Sequence, residues 1–207
     1  MGPTPATPSS VRPVTLDEIV GLDRYEVLRD EIRRRTIEMK RHRRLSVGDE
    51  ITFVFENHDT VYFQIQEMLR AERITDLDAI REEIAVYNAL LPLAGELSAT
   101  MLIEITEAER IESRLLSLLG IDEAVRLEVG GEPPIPGQFE PGHSREDRLS
   151  AVQYVRFPLP PAAVAAFLDA RVPAHLVIDH PNYRAAAPIV DAVRASLAAD
   201  LGDGIRQ

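Results

Sequence analysis

The sequence predicts an α+β fold in which a mixed, largely antiparallel sheet of about five strands is packed with several helices. Five segments alternate apolar and polar residues with the two-residue period of a strand. Segments with apolar residues at three- and four-residue steps, which is typical of amphipathic helices, stand before, between and after them. Because the order of these segments mixes hairpin-like and crossover connections, we expect a mixed sheet.

The composition is that of an ordinary globular chain, with 207 residues, 45% of them apolar and 28% charged. The chain contains no cysteine, which excludes disulfides, thiolate nucleophiles and cysteine-ligated zinc or iron–sulfur centres. A net charge of −11 argues against nucleic acid or anionic membranes as partners. No secretion signal or membrane-spanning run is recognisable, so we expect a cytoplasmic protein.

Two regions of the chain are distinguished by composition. Residues 1–14 are rich in proline and poor in large apolar side chains, and we expect a flexible tail there. Residues 15–207 are predicted to form a single α+β domain. It begins with a short helix, because Thr15 and Glu18 have the spacing of a capping box. A longer helix with a strongly basic outer face follows over 23–44.

The remaining predicted elements each carry a start or stop signal. Strands follow the two-residue period, while capping residues, proline in first turns and glycine after last turns mark the helices. In chain order they are a strand over 51–56, a helix from Asp59 or Thr60, a helix capped within 75–78, a strand over 98–105, a helix from 106 to Gly120, a strand over 125–129, a strand over 152–157, a helix from Pro160 to about Ala170, a strand over 174–179 and a C-terminal helix with Pro188 in its first turn.

A long Pro/Gly-rich loop is predicted at 130–150. It joins the strands over 125–129 and 152–157, which we expect to be antiparallel neighbours. The loop is too long and too often interrupted for a hairpin turn. It is either a functional flap or disordered, and its shortage of large apolar side chains favours disorder.

Polar side chains crowd the corner between the strand over 51–56 and the helix that follows it. A strand that continues through His58 would place Glu56 and His58 on one face, an arrangement suited to a hard or borderline divalent metal. The alternative is that the polar residues only cap the helix. The candidate site residues here are Glu56, Asn57, His58, Asp59, Gln64 and Glu67.

Two further strand ends carry candidate residues. Glu104 would join Glu56 if their strands are neighbours, and paired carboxylates shift each other's pKa and serve metal binding or proton transfer. His180 follows Leu176 and Ile178 on one strand face, with Asn182 and Tyr183 beyond it, where an acid–base or ligand group is common. The alternative for the second group is an ordinary turn.

The basic outer face of the long helix is the candidate anion or partner site. It contains Arg33, Arg34, Lys40, Arg41, Arg43 and Arg44, which could dock an acidic partner or bind phosphate. The alternative is a solvated helix face. No phosphate-binding loop, dinucleotide fingerprint, nucleophile elbow or zinc-protease motif occurs, so cofactors, metal and catalytic residues remain unknown at this point.

Three segments carry a resemblance to a known family: FENHDTVYFQIQEMLRAERI, YNALLPLAGELSATMLIEIT and VQYVRFPL. With these the chain resembles a bacterial family of unknown function whose members are often encoded beside rubrerythrin and an iron–sulfur protein similar to heterodisulfide reductase. The resemblance covers residues 15 to about 183, and His58 departs from it, since the family has arginine there. It implies an accessory role in oxidative-stress reduction.

Taken together, these observations predict a cytoplasmic accessory or interaction protein of a rubrerythrin-associated redox system. Rubrerythrin or the iron–sulfur protein would be its partner, and a homo-oligomer is also left open. The alternative is a small-molecule or metal-dependent enzyme with a carboxylate/His site.

Overall fold

The computed structural model describes residues 10–140, 144–145 and 148–205. The helices are α1 (Leu22–Arg41), α2 (His58–Ala71), α3 (Leu77–Asn88), α4 (Ile111–Ser117), α5 (Pro161–Leu168) and α6 (Asp191–Ile205), with 3-10 turns at Leu16–Glu18, Ala108–Arg110 and Ile121–Glu123. The strands are β1 (Arg44–Val47), β2 (Ile51–Phe55), β3 (Glu96–Ile103), β4 (Val125–Val129), β5 (Ile135–Pro136), β6 (Gln138–Phe139), β7 (Ser144–Arg145), β8 (Arg148–Leu149), β9 (Val152–Pro158), β10 (Ala174–His180) and β11 (Tyr183–Pro188). Within these residues every helix is too short or too polar to cross a bilayer.

The α+β class is confirmed, but the strands form two main sheets where one was expected. The first sheet has the order β1-β2-β3-β9-β6 and the second β11-β10-β4-β5, while β7 and β8 pair as a separate two-stranded sheet. All pairings among the described strands are antiparallel. The expected pairing of β4 with β9 is therefore wrong, because the two strands lie in different sheets.

The segment 130–150 crosses from one sheet to the other. Ile135 pairs with Leu127 in the second sheet, and Phe139 pairs with Val155 in the first. Gly137 stands between the two pairings, and a Cβ there would lie 2.8 Å from a methyl of Val155. The described part of this loop thus contains four two-residue strands, whereas residues 141–143 and 146–147 lie outside the described residues.

The two sheets share one hydrophobic core, and the helices α2 and α3 build a second, smaller cluster on the far side of the first sheet. The shared core contains Phe53, Met101 and Phe157 from the first sheet and Leu127 and Leu176 from the second. The second cluster contains the apolar stripe of α2 together with residues of α3 and the N-terminal segment. The first sheet is therefore covered on both faces, and the face beneath α2 and α3 is its polar one.

The N-terminal segment contacts the rest of the fold from residue 10, whereas the sequence predicted folded structure from residue 15. Residues 1–9 of the expected tail lie outside the described residues, but 10–14 are held by hydrogen bonds. Val14 is 2% exposed, and its amide and carbonyl both bond to the Asn88 side chain at 2.9 Å. The His58 amide donates to Ser10 O at 2.8 Å. That residues 15–207 form a single domain stays a prediction.

Two helix boundaries also differ from the expected ones. The long helix ends at Arg41, and Arg44 already begins β1, which pairs with β2 through a hairpin at Gly48. Pro188 ends β11, where it pairs with His175, so it does not lie in the first turn of the C-terminal helix. The four residues of β1 are too few to show a period, and the alanines of β11 give no contrast between apolar and polar positions.

Gly48 offers a direct test of this packing. Its φ is +77°, and a Cβ there would lie 2.3 Å from the Tyr183 hydroxyl. We expect Gly48→Ala to lower the free energy of unfolding by about 1–3 kcal/mol, because it adds backbone strain and displaces a buried side chain. Urea denaturation measures the effect. Gly131→Ala is the control, since nothing lies within 4 Å of its added methyl, and equal losses in the two variants would contradict the packing.

Candidate functional site

Glu56 directly follows β2 and carries a buried carboxylate, with the residue 3% exposed. The carboxylate accepts hydrogen bonds from the hydroxyls of Thr60 at 2.5 Å and Thr100 at 2.6 Å, and from the Gln64 amide at 3.0 Å. All three donors are neutral. Gln64, a predicted site residue, therefore contacts Glu56. Thr100 was not predicted, because it lies on β3 and only the pairing register of β2 with β3 places it next to Glu56.

Asn57 is the N-cap of α2. Its Oδ1 accepts from Thr60 N at 3.1 Å, and Thr60 Oγ1 accepts from Asn57 N at 2.9 Å. This reciprocal pair is a capping box, which satisfies amides that the helix itself leaves without acceptors. The cap lies two or three residues before the expected one at Asp59 or Thr60, and Asn57 has the capping role that the sequence left open.

His58 is 9% exposed and lies between two carboxylates. Its Nδ1 is 2.9 Å from Asp59 Oδ1, and its Nε2 is 3.1 Å from Glu18 Oε1. Hydrogen bonds from Arg12 are the largest cause that lowers the pKa of Glu18, to about 2, and the bond to His58 lowers the pKa of Asp59. Because both ring nitrogens are engaged, His58 fastens the N-terminal segment to α2 and offers no free nitrogen to a metal.

Glu67 joins α1 to α2. Its two carboxylate oxygens each accept from the Arg29 guanidinium at 2.8 Å, and Oε1 also accepts from the Tyr25 hydroxyl at 2.8 Å. The bidentate bond from Arg29 lowers the pKa of Glu67. A bidentate arginine–carboxylate pair fixes orientation as well as distance, so Glu67 sets how α1 lies against α2.

Glu104 does not join Glu56. The Glu104 amide donates to Glu50 O at one end of the β2–β3 ladder, whereas the Glu56 amide donates to Ser98 O at the other end. Ser98 and Glu104 are six positions apart, which is roughly 20 Å along a strand. Glu104 instead accepts from Thr52 at 2.7 Å and from Arg44 at 2.7 Å, and the Thr52 bond is the main cause that lowers its pKa.

His180, Asn182 and Tyr183 bind backbone groups around the turn between β10 and β11. His180 Nε2 lies 3.0 Å from Leu119 O, and its Nδ1 accepts from the Asn182 amide at 3.2 Å. The Asn182 side chain donates to the last carbonyl of α4 at 2.7 Å. Tyr183 donates to Val47 O at 2.7 Å, and burial raises its pKa. These contacts fit the turn alternative and attach β1 to the second sheet.

The predicted carboxylate/His residues therefore do not converge. Glu56 lies beside the start of α2, Glu104 at the opposite end of the same ladder, and His180 in the other sheet. Among the described residues, no group of three or more His, Asp or Glu side chains could hold a metal ion. The geometry gives no support to an enzyme site assembled from these three residues.

The predicted basic residues divide between the interior and the surface. Arg43 is 1% exposed and forms a buried ion pair with Asp200 at 2.5 Å, so its assignment to an anion or partner site is corrected. Lys40 is half-buried, with its ammonium 5.7 Å from the centre of the Phe63 ring. The exposed members are Arg33, Arg34, Arg41 and Arg44.

The outward surface of α1 combines some of these arginines with exposed apolar side chains. We call Val27, Asp30, Arg34, Ile37 and Arg41 the outer stripe, because they recur at three- and four-residue steps along one exposed face. Val27 is 83% exposed and Ile37 44% exposed. The sequence analysis did not single out either residue, although their helical spacing from the surface arginines can be recognised in the sequence.

Comparisons with known proteins show which proteins this chain is similar to, but they indicate no activity for it. A family model described as "Protein of unknown function (DUF3501)" matches residues 13–201. A crystal structure of a novel protein of unknown function from Burkholderia pseudomallei K96243 has a TM-score of 0.85, is 35% identical, and covers 92% of this chain and 100% of its own. A search of curated proteins gives no match.

The anchoring of the N-terminal segment predicts a specific pH dependence. The folded pKa of Glu18 is about 2, against an ordinary value of 4.5, so its contribution to stability is complete above about pH 4.5 and is lost as the pH falls towards 2. We expect Glu18→Gln to lower the free energy of unfolding by about 1 kcal/mol at pH 7, since the carboxylate is partly exposed.

Urea denaturation between pH 7 and pH 2 measures this effect. The difference between the wild type and Glu18→Gln should shrink as the pH falls. Glu109→Gln, at an exposed position, is the control and should show little difference at any pH. A loss in Glu18→Gln that is the same at pH 7 and pH 2 would show that the carboxylate charge does not matter.

Proposed function

Since the chain belongs to the DUF3501 family of proteins of unknown function, its role has to be inferred from its own residues, and we propose that it is an interaction protein that docks on an acidic protein through α1. The outer stripe is the observation that carries this proposal. A helix of 20 residues with only Tyr25 and Thr36 buried leaves most of its surface to solvent. Val27 and Ile37 place apolar side chains on that one exposed face, and exposed apolar surface among polar side chains marks many interaction sites.

Charge determines the kind of partner. Residues 33–44 contain seven of the 23 Lys and Arg residues of the chain but one carboxylate, Glu38. Arg43 is buried, which leaves six of the seven for the surface. The whole chain has a net charge of −11, so the C-terminal half of α1 is a local basic surface on an acidic protein. Such an arrangement repels nucleic acid at long range and attracts an acidic protein patch that faces α1 alone.

The attachment of α1 suits a docking role. The Tyr25 and Arg29 bonds to Glu67 hold the inner face of the helix against α2. The side chains of the outer stripe therefore project from a helix whose orientation is already fixed. A preorganised surface loses less conformational entropy on binding than a loop would.

We further propose that the partner is a rubrerythrin-type redox protein or the iron–sulfur protein encoded with it, and that the complex is cytoplasmic. This step rests on the resemblance carried by the segments around 55–74, 87–106 and 152–159. The absence of cysteine from the chain supports an accessory role, because no thiol is present to transfer electrons.

Charge reversal on the outer stripe and beside it tests the docking surface. We expect Arg33→Glu with Arg34→Glu to reduce recovery of the rubrerythrin or iron–sulfur partner roughly tenfold in co-purification from the native host, because like charges would then face each other. The control is Arg81→Glu with Arg110→Glu, two exposed arginines elsewhere, which changes the net charge by the same amount. Mass spectrometry of the recovered proteins gives the measurement.

Three outcomes would contradict the proposal. Equal loss in both double variants would show an effect of net charge without a docking surface. Recovery of neither redox protein with the wild type would remove the proposed partners. A change in the oligomeric state of Arg33→Glu with Arg34→Glu, measured by light scattering, would show that α1 docks on a second copy of this chain.

A further inference from the structure

A cavity of about 520 Å³ lies between the polar face of the first sheet and the helices α2 and α3. Its floor includes Tyr154 and Arg156 of β9, and its roof includes Glu83 and Tyr87 of α3. The volume lies in the range of small-molecule sites in proteins, roughly 300–1,000 Å³. No residue of α1 lines it, so it is separate from the proposed docking surface.

The electrostatics of the cavity favour a positively charged occupant. Glu83 and Glu140 line it, and the guanidinium that also lines it, that of Arg156, is already engaged. Arg156 donates to Glu96 at 2.8 Å, to Leu91 O at 3.0 Å and to Ala89 O. Its charge is therefore balanced by Glu96 and by the carbonyls at the end of α3.

The buried carboxylate of Glu56 adds to the negative potential behind the floor. It follows the strand next to β3, its amide bonds to Ser98 O, and Ser98 lines the cavity. The donors to its carboxylate are the neutral side chains of Thr60, Gln64 and Thr100. Burial raises the pKa of Tyr154, and the carboxylates of Glu56 and Glu140 raise it further.

Two aromatic rings complete the lining. Tyr154 comes from the sheet and Tyr87 from α3, so the two tyrosines line the cavity from its floor and its roof. Burial raises the pKa of Tyr87, with further contributions from Glu83 and Tyr154, which keeps the phenol neutral. The faces of tyrosine rings attract organic cations, and the attraction strengthens where water is excluded.

We propose that this cavity binds a small organic cation, with an ammonium group between the rings of Tyr87 and Tyr154 and close to the carboxylates of Glu83 and Glu140. The apolar part of the ligand would contact Met68, Val86 and Leu90, which also line the cavity. An anionic ligand is disfavoured because its charge would face these carboxylates. A bare metal ion would need converging oxygen or nitrogen ligands, whereas tyrosine faces suit an alkylated ammonium.

Choline and its uncharged carbon analogue 3,3-dimethyl-1-butanol are the probes, because they match in shape and differ in charge. The chain has five tyrosines, so selectively labelled ring signals report each one by NMR. Choline should shift the Tyr87 and Tyr154 signals saturably, with those of Tyr25, Tyr62 and Tyr183 as internal references. The uncharged analogue should bind at least about tenfold more weakly.

Four variants on α3, in two pairs, test the contribution of the Glu83 charge and that of the Tyr87 ring. Glu83→Gln should weaken choline binding roughly threefold to tenfold, whereas Glu82→Gln, the same change at the exposed neighbouring position, should leave it unchanged. Tyr87→Phe should retain binding because the ring remains, and Tyr87→Leu should lose it. The Glu83 and Glu82 pair keeps the test valid if Tyr87→Leu fails to fold.

The proposal is overturned by any of three results. The first is an absence of saturable shifts at Tyr87 and Tyr154 with choline or tetramethylammonium at roughly 10 mM, a concentration that reveals even weak sites. The second is equal affinity for choline and its uncharged analogue, which would indicate an apolar cavity. The third is equal weakening by Glu83→Gln and Glu82→Gln.

Discussion

The buried guanidinium of Arg43 is the constraint around which much of this structure is arranged. Arg43 is 1% exposed, and a charge in that position is unstable unless all its donors find acceptors. The acceptors come from distant parts of the chain: the carbonyls of Phe55 and Glu56 at 2.8 and 2.9 Å, and Ser196 and Asp200 of α6 at 2.9 and 2.5 Å. Satisfying one side chain therefore brings the C-terminal helix to the end of β2. Asp200 also accepts from Ser10 at 2.7 Å, so the same carboxylate fastens the N-terminal segment.

This arrangement explains why the polar corner after β2 is mainly structural. Arg43 binds the carbonyl of Glu56, Asn57 caps α2, and His58 holds Glu18. Each polar group has a partner within the fold, which is the normal state of buried polar groups and leaves little capacity for a substrate. The surfaces that remain uncommitted lie elsewhere, on the outer stripe of α1 and in the cavity beneath α3. Function is therefore inferred from exposure and from electrostatics rather than from the most polar segment of the sequence.

The sequence predicted what depends on local pattern, and missed what depends on register. The strands at 51–56, 98–105 and 174–179 were recognised because alternation is a local property. Glu56 and Glu104 directly follow neighbouring strands, but periodicity does not reveal that antiparallel pairing puts them at opposite ends of the ladder. The crossing of 130–150 between the sheets was equally invisible, since strands of two residues have no detectable period. The sequence did not indicate that Arg43 is buried while the neighbouring arginines are exposed. Its burial depends on the ion pair with Asp200, which lies far along the chain on α6.

The coupling between Arg43 and Asp200 tests this account most directly. A double-mutant cycle with Arg43→Met and Asp200→Leu, followed by chemical denaturation, isolates the energy of the pair from the effects of the separate substitutions. The account predicts that each single variant loses about 3–5 kcal/mol of unfolding free energy, because each leaves a buried charge without its partner, and that the double variant loses at least about 2 kcal/mol less than their sum. Losses that are small and additive would contradict it, because Arg43 would then not be the contact that draws the end of β2, the N-terminal segment and α6 together.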